Sequence, residues 1–360
     1  MAAPNPQPAP AALLGYCRSG FEPELAAEFT DRAAALGMHG YARTERGSGL
    51  VLFHCEQAAE LDRALPWREL VFARQKLLLL ADLPALDPAD RISPMLAALK
   101  GSRFGDLLVE HPDSDEGKPL AGLARSFGNA LRPALRKAAV LSEKTRPGVA
   151  RLHVVLKAGD HALLCSSQPD DSAPWPLGIP RLKLHADAPS RSALKLEEAV
   201  LALLDERERA HLLRGGMHAA DLGAAPGGWT WVLTRHGVHV TAVDNGPLRP
   251  HVLDTGLVTH LRADGFRWQP PQTLDWMVCD MVEQPIRVAA RMAEWFAGGW
   301  CRQAIFNLKL PMKKRWLETQ RCLDLFKTQA GPLAALRARQ LYHDREEITV
   351  FAQAKTWTDS

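Results

Sequence analysis

Residues 218–230 read HAADLGAAPGGWT, and the order of residue types in that stretch decides the fold. An apolar run ends at Asp221 and Leu222. Gly223, Ala225, Pro226, Gly227 and Gly228 then form a loop, and Trp229 and Thr230 open the next apolar run. A short strand, a glycine-rich turn and a helix in that order are the first unit of a parallel α/β sheet. Glycine allows the tight turn and the close approach of backbone to a ligand. The spacing is not GxGxxG, and Pro226 removes an amide where a dinucleotide's diphosphate needs donors. A carboxylate at Asp221 also repels a diphosphate and suits a ligand that carries positive charge.

Working outward, the same rhythm repeats from about Ser190 to the end of the chain. HAADLG, HVTAVD, THLRAD, LDWMVCDM, QAIFNLKL and EEITVFA read as strands, with helices between them. This alternation predicts a doubly wound, Rossmann-like, mostly parallel sheet over residues 190–360. Such sheets bind ligands beyond the carboxyl ends of their strands. The second strand ends at Asp244, where a carboxylate can accept both hydroxyls of a ribose. The third ends at Asp264, placed to take a hydrogen bond from an exocyclic amine. An acid at a strand end is ordinary turn chemistry when it stands alone. Acid, glycine loop, acid and acid in succession describe a pocket for S-adenosyl-L-methionine, whose sulfonium and amino groups are cationic.

The chain has 360 residues, 46% of them apolar and 24% charged, with no apolar run long enough to span a bilayer. That length implies about two domains. The first dozen residues, rich in Pro and Ala, read as a flexible tail (1–12) without signal-peptide character, and a cytoplasmic protein is expected. Cys17, Cys55, Cys165, Cys279, Cys301 and Cys322 are scattered with no metal-ligand spacing, so reduced thiols and no metal site are expected. Net charge is only +3, yet the span from Gly122 to Lys157 holds Arg125, Arg132, Arg136, Lys137, Lys144, Arg146, Arg151 and Lys157 against the single acid Glu143. Such a face fits a phosphate backbone, although a solvated helix would carry the same charges. GYCRSG, a helix over PELAAEFTDRAAALG and a strand GLVLFHC make a first α+β unit (13–75). A second (76–168) has the basic helix LAGLARSFGNALRPALRKAAV and the hairpin RLHVVLKAGDHALLC. Residues 169–189, rich in Pro, Ser and Asp, read as a linker.

DLGAAPGGWT resembles the glycine loop of the FtsJ-type ribose 2′-O-methyltransferases. SRSALKLEEA, VDNGPL, DWMVCDMVE, IFNLKLPMKKRW and LYHDREEITV are similar, more closely, to the bacterial large-subunit ribosomal RNA cytidine 2′-O-methyltransferases. The resemblance implies a ferredoxin-like subdomain and a THUMP-type RNA-binding domain in the N-terminal half. It also implies a 23S ribosomal RNA substrate and a Lys-Asp-Lys-Glu tetrad. Lys195, Asp280 and Lys309 take the first three places by local motif. Glu347 takes the fourth because ITV follows it directly, and strand alternation allows only one of Glu346 and Glu347 to face the pocket. Ser192, the Ala225–Gly228 turn, Asp244, Asp264 and Asp280 are the implied cofactor contacts. A monomer is expected.

The chemistry follows from the residue types. A ribose hydroxyl needs a base, and a lysine can serve if burial and a second cation lower its pKa. Lys309, at the end of an apolar strand with Lys195 approaching from a helix, is expected to meet that condition. Asp280 and Glu347 would orient the amines. Lys313, Lys314 and Arg315 suit either phosphate contact or a solvated helix start. A nucleobase amine methyltransferase would carry [ND]PP[YFW] where this chain has DMVEQP. Methylation of some other RNA, or a non-catalytic RNA-binding relic of the fold, are the competing readings.

Overall fold

Alternating apolar residues build two mixed α/β units, divided at Ile179 and Pro180. The computed structural model describes residues 11–355, so the expected tail lies outside the described residues except for its last two positions. The first unit runs β1 (Ala12–Tyr16), α1 (Glu22–Ala35), β2 (Tyr41–Thr44), β3 (Leu50–His54), α2 (Ala58–Ala64), β4 (Gln75–Leu83), α3 (Ile92–Ala98), β5 (Asp106–Glu110), α4 (Ala121–Lys137), β6 (Arg151–Ala158) and β7 (His161–Ser167). All seven strands join one sheet in the order β2-β3-β1-β4-β7-β6-β5, so the two expected subdomains share β4 at the centre of a single sheet. Helix α4 buries Ala124, Phe127, Leu131 and Leu135, a stripe at helical spacing, against a core that includes Leu107, Leu152 and Val154. Each fully buried leucine there contributes about 1.5–3 kcal/mol.

The first half of the expected linker, up to Ile179, is packed. Asp171 accepts from the Trp67 amide at 2.6 Å and from Lys76 Nζ at 2.7 Å, and Ala173 exchanges hydrogen bonds with the Gln75 side chain. Residues up to Ile179 therefore belong to the first unit. Proline and serine content marked irregular backbone, which here is packed.

The second unit runs α5 (Ala193–Leu203), α6 (Glu206–Leu212), β8 (His218–Leu222), α7 (Gly228–Arg235), β9 (His239–Val243), α8 (Pro250–Leu253), β10 (Val258–Leu261), β11 (Leu274–Cys279), α9 (Pro285–Ala297), β12 (Cys301–Lys309), α10 (Arg315–Gln329), β13 (Leu333–Arg339) and β14 (Glu347–Ala354). Its sheet has the order β10-β9-β8-β11-β12-β14-β13. The strands from β10 to β12 are parallel, and β14 inserts antiparallel between β12 and β13. The chain leaves β8 to one side and returns through β11 on the other, so the switch point lies between them. Asp221 is the last residue but one of β8, and Asp280 directly follows β11. The sequence did not signal β13: LAALRAR is built of helix-favouring residues, and only pairing with β14 at the sheet edge makes it a strand. No helix among the described residues is long and apolar enough to cross a membrane.

Candidate active site

The β12–β14 pairing builds the site. Lys309 and Asn307 lie on one face of β12 because side chains alternate, and the register sets them opposite Glu347 and Thr349 of β14. Lys309 Nζ donates to Asp280 Oδ1 at 2.8 Å and also bonds Glu347 Oε2. Lys195, in the first turn of α5, reaches Asp280 Oδ2 at 3.2 Å and bonds Glu347 Oε1. Two lysines and two carboxylates thus close a square in which each acid bridges both amines. Glu346 points elsewhere, to Arg315 at 2.6 Å, so Glu347 is the one of the two glutamates that closes the square.

The electrostatics reverse one expectation. Burial lowers the pKa of the Lys309 ammonium, as anticipated, but the charges of Asp280 and Glu347 outweigh it and the net shift is upward. Asp280 moves the other way. Burial would raise it, yet Lys309, Lys195 and the Asn307 amide hold it below the ordinary carboxylate range. Sequence reasoning put the lysine at the strand end but could not weigh two carboxylates that reach it only through the pairing of strands far apart in the chain.

Beside the square lie two adjoining cavities of about 270 and 390 Å³ that share Gly223 and Asp280. Ser192, Asp221, Ala225, Pro226 and Gly228 line the first, and Asp244, Asp264 and Met281 the second. The glycines are required here. Gly223 has φ +78°, and a Cβ on it would fall 2.5 Å from Met281 Cγ. Gly227 has φ +108°, and a Cβ on Gly228 would lie 2.2 Å from Ser192 Oγ. Asp244 accepts from the amides of Ala225 and Gly246 at 2.9 and 2.7 Å, which fixes its carboxylate and leaves lone pairs free for hydroxyls. Asp264 accepts from the Phe266 amide at 2.8 Å. A cleft floored by glycine, rimmed by acids and split about a strand switch point fits S-adenosylmethionine, whose sulfonium and amino groups are cationic.

Three family profiles match the chain: the RlmM ferredoxin-like domain over residues 11–77, the N-terminal domain of ribosomal RNA large subunit methyltransferase M over 90–168, and the FtsJ-like methyltransferase over 188–330. The ribosomal RNA large subunit methyltransferase M of Xanthomonas campestris pv. campestris (strain B100) is 70% identical over 341 residues, 94% of this chain and 98% of that one. The protein of that name from Xanthomonas axonopodis pv. citri (strain 306) matches at the same identity and coverage, 70%, 94% and 98%. The chain belongs to the ribosomal RNA large subunit methyltransferase M family. It is accordingly an enzyme, a methyltransferase that uses S-adenosylmethionine.

In this family member Asp221, in the lining of the first cavity, is strongly perturbed. Burial pushes its carboxyl up to about 7, against the Thr230 hydroxyl that donates to it at 2.6 Å. A cationic ligand binds the ionised form, so affinity is full above pH 7 and falls as Asp221 takes up its proton below it. Cofactor titration by calorimetry is expected to show Kd rising by up to about tenfold per pH unit below 7.

The basic residues divide. Arg125, Lys137, Lys144 and Arg146 are exposed, whereas Arg132 pairs with Asp106 at 3.2 Å and donates to the Leu107 carbonyl at 2.8 Å. Arg136 reaches the Ser142 carbonyl at 3.4 Å. Lys313 and Lys314 are exposed, but Arg315 is drawn onto Glu346. Arg132 and Arg315 therefore serve the fold first, a use invisible in a list of charges. Cys279 is fully buried and its thiol is pushed up to about 12, which suits core packing. Sequence reasoning missed Asn307, Thr349, Asp344 and Glu198. Glu198, one turn after Lys195, accepts from the amides of Tyr342 and His343 at 2.7 and 2.9 Å and ties the β13–β14 turn to α5. For Asn307 a signal existed: two residues before Lys309 is the same strand face.

Proposed function

We propose that this enzyme methylates the 2′-oxygen of a cytidine ribose in 23S ribosomal RNA, with Lys309 as general base. The observation that supports this reading is the square of Lys195, Asp280, Lys309 and Glu347 beside the cofactor cavity. S-adenosylmethionine supplies the electrophilic methyl group when bound. Lys309 Nζ takes the proton of the 2′-hydroxyl as that oxygen becomes nucleophilic. Lys195 shares both acids with Lys309, so neither carboxylate commits its full charge to the base. Asp280 lines both cavities, and a cation held there competes for its charge and favours neutral Lys309. Holding the hydroxyl in line with the methyl group accounts for much of the remaining rate. The loops directly after Asp280 and Lys309 carry Val282 and Met312, 90% and 77% exposed, apolar side chains suited to pack against an unstacked base.

Large-subunit ribosomal RNA incubated with methyl-labelled cofactor and digested to nucleosides is expected to yield labelled 2′-O-methylcytidine. Label on a base would overturn the reading. RNA contact by the first unit has its own test. The double variant Arg125→Glu, Lys137→Glu alters two exposed charges that hold no part of the core. It is expected to weaken RNA binding at all sequences and flatten its salt dependence by about one per lost phosphate contact, with cofactor affinity unchanged. Filter binding across a salt series checks this.

A further inference from the structure

Behind the square runs a second set of polar groups that the reaction as described does not use. Asn307, Thr349 and Asp344 are each 0% exposed. Asn307 Nδ2 donates to Asp280 Oδ1 at 2.9 Å, Thr349 Oγ1 donates to Asn307 Oδ1 at 2.7 Å, and Thr349 Oγ1 lies 3.0 Å from Asp344 Oδ2. The Leu341 amide donates to the same Asp344 oxygen at 3.1 Å.

We infer that Asp344, Thr349 and Asn307 are positioning residues, a one-way hydrogen-bond chain from the β13–β14 turn that fixes the carboxylate shared by the two lysines. The direction follows from counting donors. Asp280 is ionised between two lysines, so Asn307 must present its NH₂ to it, since an amide oxygen there would face an anion. Asn307 Oδ1 then faces Thr349 and needs the single hydroxyl proton Thr349 possesses. With that proton committed, the contact between Thr349 Oγ1 and Asp344 Oδ2 requires a proton on Asp344. Asp344 is thus a neutral carboxylic acid that donates to Thr349. Its surroundings agree: burial pushes its pKa well up and the charge of Glu347 adds to that, with Glu198 acting in the same sense and Lys195 against.

The chain matters to the base because Asn307 takes up part of the charge of Asp280. The charged groups that face Lys309 are Asp280, Glu347 and, through the shared acids, Lys195; Asp221 faces Asp280 from β8. With the Asn307 donor lost, Asp280 holds the Lys309 ammonium more tightly and neutral Lys309 forms only at higher pH.

This coupling rests on Lys309 being the base, and the test separates the two ideas. Thr349→Val removes the hydroxyl and keeps the shape. It is expected to move the ascending limb of the kcat–pH profile up by about one unit, about tenfold in rate at a fixed pH on that limb. Cofactor Kd and RNA KM should stay unchanged. Asp344→Asn, which retains a donor toward Thr349, is expected to keep the limb in place. Independently of turnover, the infrared difference between the wild-type protein and Asp344→Asn at pH 8 should contain the carbonyl band of one neutral carboxylic acid. Absence of that band overturns the chain's direction. A band together with an unmoved limb in Thr349→Val overturns its coupling to Lys309. If Lys309→Ala retains a normal rate, the base assignment fails instead, while the infrared result stands or falls alone.

Discussion

Lys309→Ala is expected to lower the single-turnover rate of methyl transfer by about 10²–10⁴-fold, the range for loss of a general base, while cofactor Kd changes little. The geometry separates the two effects. Lys309 Nζ bonds Asp280 and Glu347, and it is not among the residues that line either cofactor cavity. Truncation leaves Lys195 still bonded to both acids, so the square loses one corner and one positive charge but keeps a cation between its carboxylates. Isothermal titration with cofactor and rapid-quench measurement with saturating RNA test the two halves. Loss of cofactor binding as well would mean that Lys309 holds the cofactor and does not act on the hydroxyl. Lys309→Arg should recover little, because guanidinium keeps its proton at any working pH.

Asp280→Ala is the variant with the broadest expected damage. Among the described residues, Asp280 alone both lines the two cavities and bonds both lysines. Its loss is expected to weaken cofactor binding by about tenfold or more and to cut kcat/KM by about 10³-fold, combining lost cofactor contact with a mispositioned base. The residual activity carries a diagnostic sign. Asp280 is one of the two carboxylates that raise the Lys309 pKa, so its removal lets burial pull that value down. The ascending limb of the pH–rate profile is then expected at lower pH than in wild type, opposite to the shift expected for Thr349→Val. A limb that moves up, or stays, would mean that the titrating group is not Lys309.

Much of this site was legible in the sequence because its residues sit where strands end. Asp221 and Asp244 lie at the ends of apolar runs, Asp264 follows β10 by three residues, and the glycines of DLGAAPGGW announce close backbone approach. Lys309 stood out because a charge at the end of IFNL has a desolvation cost. The preference for Glu347 over Glu346 came from the residues ITV that follow, and in three dimensions the strand register opposite Lys309 supplies the physical reason. What could not be read depends on pairing across the chain. The sign of the Lys309 shift needs two carboxylates from β11 and β14 to meet one amine. Arg132 and Arg315 look like phosphate ligands until Asp106 and Glu346 are placed beside them. The chain behind the site has partners far apart in sequence, with Asn307 on β12 and Thr349 on β14, so only its first member had a local signal. Strand β13 and the packed segment before Ile179 were missed for the same reason: helix-favouring and linker-like compositions are overridden by tertiary contacts.

The central claim is that the methyl group lands on a ribose oxygen through a base at Lys309, and alkaline hydrolysis of the product tests it most directly. A phosphodiester next to a 2′-O-methyl group cannot be cleaved by base, because the attacking 2′-hydroxyl is gone. Large-subunit ribosomal RNA treated with the wild-type enzyme and cofactor should give a hydrolysis ladder with one new gap, at a cytidine. RNA treated with Lys309→Ala should give a continuous ladder. A continuous ladder from the wild-type reaction, with methyl groups incorporated, would place them on a base and contradict the account.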